Sequence, residues 1–288
     1  MTIMPDSGLS RARAPIGIFD SGLGGLSVLR AVRERLPGET LVYVADSRHA
    51  PYGPRDDAFI VERTHAIGEW LVSQGAKALV VACNTATAQS IAVVREQLAI
   101  PLVGVEPGIK PAALQSKTRV AGVIATQATL RSARFRTLLE RHSAGCRFIC
   151  QAGHGLVEAV ERGDTGSPEL RALLAGYLQP MVDAGADTLV LGCTHYPFLN
   201  AAIRDVTANR LRLVDTGDAI ARQLERIVDE RGLRAPASGY ATALPRFCST
   251  GDGRQLQSLA ATLLGIDTPV ESVTISSPNA AALAMHPA

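Results

Sequence analysis

An α/β fold made of two similar halves with mainly parallel sheets is what this sequence predicts, and three observations carry the prediction. Short apolar, β-branched runs alternate with longer segments of helical spacing. The runs end in small or polar clusters, and one such unit occurs twice. Strands that alternate with helices indicate parallel sheets. Ligands of such sheets bind beyond the carboxyl ends of the strands, where these clusters fall.

Taken in order, the run Pro15 to Phe19 leads into Asp20-Ser21-Gly22, and Leu41 to Ala45 leads into Asp46-Ser47. Ile67 to Gln74 has helical spacing and precedes Leu79 to Ala82, which opens into Cys83-Asn84-Thr85. Leu102 to Val105 runs into Glu106-Pro107, and Val120 to Ile124 runs into Thr126. A helical stretch from Leu173 to Ala184 precedes Leu189 to Gly192 and the cluster Cys193-Thr194-His195. Leu211 to Val214 comes last, followed by a helix over Asp215 to Gly232 that Asp215 or Thr216 would cap.

The repeat is the segment from Gly75 to Cys83, which aligns without gaps on the segment from Gly185 to Cys193. Less tightly, Gly17-Ile18-Phe19 matches Gly122-Val123-Ile124. Two related, pseudo-symmetric halves follow, each presenting a cysteine at the carboxyl end of a strand. The expected division is residues 1–107 with 215–288 as the first domain, its C-terminal segment returning, and 108–214 as the second. The active site is then expected in the cleft between them. The segments Met1 to Ala14 and Ser276 to Ala288 lack a clear period and are expected to be mobile.

Composition narrows the function. A formal net charge of +2 from 29 basic and 27 acidic residues gives no sequence-wide reason to expect a polyanion, so nucleic acid is not an expected partner. The apolar runs are far too short to span a bilayer, and no secretory signal is recognisable near the start. A cytoplasmic protein with no membrane partner is expected. Five cysteines without CxxC or a Cys/His ladder argue against a disulfide framework and against a structural metal site.

Two matched cysteines suggest a chemistry. Inverting a C–H stereocentre takes a base on one face and an acid on the other, with the roles exchanged in reverse. A thiolate and a thiol on facing half-sites meet that need. Asn84, Thr85, Thr194 and His195 supply hydrogen-bonding groups beside them, and helix N-termini could hold a carboxylate. Asp20 could receive an ammonium group or assist Cys83, and it could equally cap a helix starting near Gly22. Gly22, Gly24 and Gly25 do not form GxGxxG, so a dinucleotide site is weakly supported. Free cysteines are often merely buried, a reading kept for Cys146, Cys150 and Cys248.

These motifs resemble those of the glutamate racemases, in the aspartate/glutamate racemase superfamily. The resemblance covers roughly residues 15–224. It rests on Gly17 to Gly25, Asp46 with Pro51-Tyr52-Gly53, Ala82 to Ala86, Val103 to Pro107, Ala125-Thr126 with Thr129, Gly192 to Pro197, and Leu213 to Gly217. It implies that Cys83 and Cys193 transfer protons, and that Asp20, Ser21, Tyr52, Gly53, Asn84, Thr85, Thr194 and His195 contact glutamate. It implies no PLP, no other cofactor and no metal. It offers Glu158, in Leu156-Val157-Glu158, as the carboxylate tied to the second cysteine, with Asp20 and His195 as the other assisting groups. Family members are often homodimers, and the activity would supply D-glutamate for peptidoglycan.

Three other readings stay open on the residues alone. The same two-thiol chemistry could act on aspartate. A hydrolase using Cys193 and His195 would leave Cys83 without a role. A noncatalytic amino-acid binding module would also use a two-domain cleft.

Overall fold

The computed structural model describes residues 8–236 and 244–277. Its strands form two sheets, and every strand pairing is parallel. The first sheet contains β1 (Ile16–Asp20), β2 (Leu41–Ala45), β3 (Ala78–Val81), β4 (Leu102–Gly104), β9 (Arg246–Ser249) and β10 (Val270–Ser272). Their order is β10-β9-β2-β1-β3-β4. The second contains β5 (Val120–Ala125), β6 (Arg147–Ala152), β7 (Thr188–Gly192) and β8 (Arg212–Val214), in the order β6-β5-β7-β8.

The order β2-β1-β3-β4 is therefore reproduced by β6-β5-β7-β8, and the register repeats with it. Gly17 lies opposite Leu79 in the first sheet, and Gly122 lies opposite Leu189 in the second. These are the residues that the sequence repeat aligns. β1, β2, β3 and β7 are buried along their whole length, as strands covered by helices on both faces must be. Helices α3 (Asp57–Ser73) and α9 (Pro168–Asp183) precede the two cysteine-bearing strands. Each starts on a side-chain cap, Asp56 or Ser167, that accepts a backbone N–H three residues on.

Helix α11 (Gly217–Glu230) packs against α2 (Leu26–Arg35), with Ile220, Leu224 and Val228 in the first sheet's core. Thr216 occupies its N-cap without a side-chain bond, while Asp215 accepts from the Gly217 N–H at 3.1 Å. Beyond α11 the chain adds β9, α12 (Arg254–Leu264) and β10 to the first sheet. These elements, and the edge strand β6, have no counterpart in the sequence expectation, because they are short or partly exposed.

The expected mobility of the ends is met by structure in part. Residues 8–13 form helix α1 (Gly8–Arg13), and the Ala12 carbonyl accepts from the buried Lys77 Nζ at 2.6 Å. Lys77 also pairs with Glu39, which accepts the Ala235 N–H at 2.9 Å. Residues 1–7 and 278–288 lie outside the described residues. Among the described residues no helix is long and apolar enough to cross a membrane.

Candidate active site

Both repeated strands end at a thiol. β3 delivers Cys83 to the N-cap of α4 (Asn84–Gln97), where its sulfur accepts the Ala86 N–H at 3.4 Å and lies 3.3 Å from Ser21 Oγ. β7 delivers Cys193, but a short 3-10 helix (Tyr196–Leu199) follows instead of a regular helix. His195 occupies that helix's N-cap with its Nδ1 3.6 Å from Cys193 Sγ. Both sulfurs face a single cavity of about 290 Å³ between the sheets, together with Ser21, Asn84, Thr85 and Thr194. Tyr52, Gly53 and His195 line it as well.

The sequence expectation named all of those residues, but three details differ. Asp20 is not on the cavity wall. It is fully buried behind Ser21, where one carboxylate oxygen accepts the Gly22 N–H at 2.9 Å and the other has no hydrogen-bond partner. The Tyr52 hydroxyl donates its proton to Asp46 at 2.6 Å, so that proton is engaged within the protein and not offered to a substrate.

The third difference is a correction. The carboxylate that holds His195 is Glu161, whose Oε1 lies 2.6 Å from Nε2, and not Glu158, which stands on the cavity wall one helical turn earlier. Helix α8 (Leu156–Glu161) buries Leu156 and Val160, and that phase carries Glu161 toward His195. The signal lay in this helical phase and in Glu161-Arg162-Gly163 at the helix end, which the Leu-Val-Glu resemblance drew one turn off. Thr126, part of a matched motif but not expected at the site, lines the cavity and shares a 2.9 Å hydroxyl contact with Thr85 across the two sheets.

Glu161 also crosses between the halves. Its Oε1 accepts the Leu23 N–H at 2.9 Å. The loop it meets is glycine-rich for a steric reason: a Cβ at Gly22 would sit 2.3 Å from Glu161 Oε1, and one at Gly24 would sit 2.3 Å from His195 Nδ1. The glycines thus serve close approach of the opposite half rather than dinucleotide binding. On the same side, Ser27 Oγ donates to the Thr194 carbonyl at 2.9 Å.

The electrostatics of the half-sites differ. Burial, reinforced by the Asp20 charge, pushes the Cys83 thiol up to about 12 despite contacts from Ser21 and the Ala86 N–H. Burial likewise raises Asp20, against the lowering effects of His195 and the Gly22 and Gly25 N–H groups. Burial pulls His195 down, but hydrogen bonds and charges at Cys193 and Glu161 outweigh it and hold the imidazole well above its ordinary value of 6.5. The arrangement therefore offers a thiol held in its proton-donating form on one side and a thiol with its own imidazolium-carboxylate pair on the other. Among the described residues no group of three or more His, Cys, Asp or Glu side chains could hold a metal ion.

Two matched α/β sheets, each placing a thiol in one shared cleft, are the arrangement the resemblance leads one to expect of an amino-acid racemase. The chain belongs to the Asp/Glu/Hydantoin racemase family, whose model matches residues 23–224. Within that family it falls among the glutamate racemases. It is 57% identical to the glutamate racemase of Ralstonia pickettii strain 12J, over 96% of this chain and 99% of that one. A glutamate racemase of Pseudomonas aeruginosa is 46% identical over 91% of this chain and 98% of its own length. The crystal structure of Escherichia coli glutamate racemase in complex with L-glutamate and an activator superposes with a TM-score of 0.81 at 32% identity, covering 92% of this chain and 100% of that one.

Proposed function

We propose that this protein interconverts L- and D-glutamate, with Cys83 and Cys193 exchanging the α-proton from opposite faces. The observation that carries the reading is the pair of repeat-related thiols lining one cavity, with the hydrogen-bonding side chains of Ser21, Asn84, Thr85 and Thr194 beside them. In one direction a thiolate removes the α-proton while the opposite thiol donates one, and in the other the roles exchange. Asp20, whose charge raises Cys83, is the group a substrate ammonium would offset from across Ser21: a positive charge in the cavity would make the Cys83 thiolate easier to form. His195, oriented by Glu161 and held in its protonated form, gives its proton to a Cys193 thiolate and takes it back.

Ser21, Asn84, Thr85 and Thr194, with the backbone N–H groups at the start of α4, supply donors for the two carboxylates of glutamate. Residues 1–107 with 215–288 and residues 108–214 are read as the two domains that close around it. The product would feed peptidoglycan synthesis in a bacterial cytoplasm, with a homodimer as the working assembly.

The test is to incubate purified, PLP-free protein with L-glutamate, and separately with L-aspartate, and follow optical rotation. Loss of rotation with glutamate, and none with aspartate, is expected. Loss with aspartate alone would move the same chemistry to the shorter acid, and none with either would leave a binding module.

A further inference from the structure

Among the described residues the most heavily bonded carboxylate is Asp46, just past the end of β2. It is fully buried and takes five contacts onto two oxygens. Arg63 of α3 supplies two, through Nε at 3.0 Å and Nη2 at 2.9 Å, one to each oxygen. Tyr52 donates at 2.6 Å, Thr250 at 2.7 Å, and His49 Nδ1 lies at 3.0 Å. The remaining guanidinium nitrogen, Nη1, donates to the Ile275 carbonyl at 2.8 Å and to Ser277 Oγ at 3.1 Å.

These contacts join four stretches of chain far apart in sequence: the end of β2 with its following turn, α3, the end of β9, and the segment after β10. Only one of them touches the cavity, and it does so through Pro51, Tyr52, Gly53 and Pro54. A fully buried ion pair is a poor source of net stability, since desolvation offsets most of its attraction. What a planar, two-pronged guanidinium gives a carboxylate is fixed orientation. Asp46, so oriented, sets where the Tyr52 hydroxyl must point, and with it the position of the ring and of the Gly53 backbone.

We propose that Arg63 is a positioning residue: acting through Asp46, and braced by the Ile275 carbonyl, it holds the Pro51–Gly53 turn as the wall against which the substrate seats. This rests on the glutamate-racemase reading for its kinetic consequence, but the placement of the turn does not. Lysine at this position keeps the charge and loses the paired geometry, because an ammonium cannot bond both Asp46 oxygens in plane and reach Ile275 as well.

The experiment compares wild type with Arg63→Lys and Arg63→Ala. For Arg63→Lys a misplaced wall predicts a KM for glutamate raised by about tenfold with kcat within about twofold. Amide hydrogen exchange over residues 50–55 is expected to quicken in the same variant, a readout that needs no substrate. For Arg63→Ala, added methylguanidinium is expected to restore KM. A folded Arg63→Lys with unchanged KM and unchanged exchange at residues 50–55 would overturn the proposal. So would kcat falling with KM unchanged, which is the signature of lost folded protein. Wild type without glutamate turnover would overturn the activity while leaving the exchange comparison to decide the role of Arg63.

Discussion

The two thiol half-sites descend from one repeated pattern, yet they are supported differently. Cys83 follows β3 into a regular helix, whose first turn gives its sulfur an N–H, and its charged neighbour is the buried Asp20. Cys193 follows β7 into a 3-10 turn that brings His195 alongside, backed by Glu161. A symmetric reaction is therefore carried by an asymmetric pair. The first half-site is a thiol under the influence of one buried carboxylate, and the second is a thiol with a relay. The halves are interlocked where they differ, since Gly22 and Gly24 of the first leave room for Glu161 and His195 of the second.

Removing either thiol is the largest test. Cys83→Ser or Cys193→Ser keeps the size of the side chain but substitutes a far weaker acid, and a fall in turnover of about 10²- to 10⁴-fold is expected. Circular dichroism should show both variants folded, and near-wild-type turnover in either would break the pairing.

Next in size is the relay. Glu161→Gln removes a charged hydrogen bond from His195, for which a loss of about tenfold in kcat is expected. Glu158→Gln, which takes a negative charge off the cleft wall, is expected to lower KM by no more than about twofold, with kcat unchanged. Equal effects from the two would return Glu158 to the role first expected of it. The relay also predicts a pH dependence. His195 is held above its unfolded value, so its contribution to stability is complete below about pH 6.5 and is lost as pH rises through the folded value. The stability gap between wild type and Glu161→Gln should therefore be widest at mildly acid pH, just below about 6.5, and close on going alkaline, as followed by thermal unfolding.

Asp20 predicts a smaller effect of the same sign in pH. Its folded value is raised by burial, so the native state is favoured below the unfolded value of 3.8 and loses that advantage as pH rises. Asp20→Asn cannot ionise and keeps an acceptor for the Gly22 N–H. It is expected to unfold at higher temperature than wild type near neutral pH, by an amount that grows upward from about pH 4, while turning over more slowly. The smallest effect concerns the rim, where Arg131 lines the cavity and its Nη2 lies 3.5 Å from Asp57 Oδ1 across the halves. Both side chains are solvated, so Arg131→Gln should reduce kcat/KM by only about twofold and weaken its dependence on salt.

Much of this was legible before any coordinates. β1, β2, β3 and β7 announce themselves because burial on both faces demands continuous apolar runs, and the repeat around Cys83 and Cys193 gives the pseudo-symmetry directly. β6 was not legible, because Arg147 and Gln151 interrupt an edge strand that is only half-covered. β10 is three residues long with two of them exposed, which leaves almost no hydrophobic pattern. At the site, residues next to the strand ends could be read, whereas those that arrive from distant chain could not. Glu161 and Arg63 are of that second kind: their partners lie 34 and 17 positions away, and only packing brings them together. The glycines of the Gly22 to Gly25 loop were visible as residues, but their purpose is set by side chains from the other half.

The measurement that most directly tests two facing thiols is early-time isotope incorporation, starting from L-glutamate in heavy water. With one base on each face, D-glutamate formed in the first turnovers should carry deuterium at the α-carbon while the remaining L-glutamate stays protiated. Deuterium entering recovered L-glutamate as fast as it enters D-glutamate would mean that a single group serves both faces, and would contradict the account.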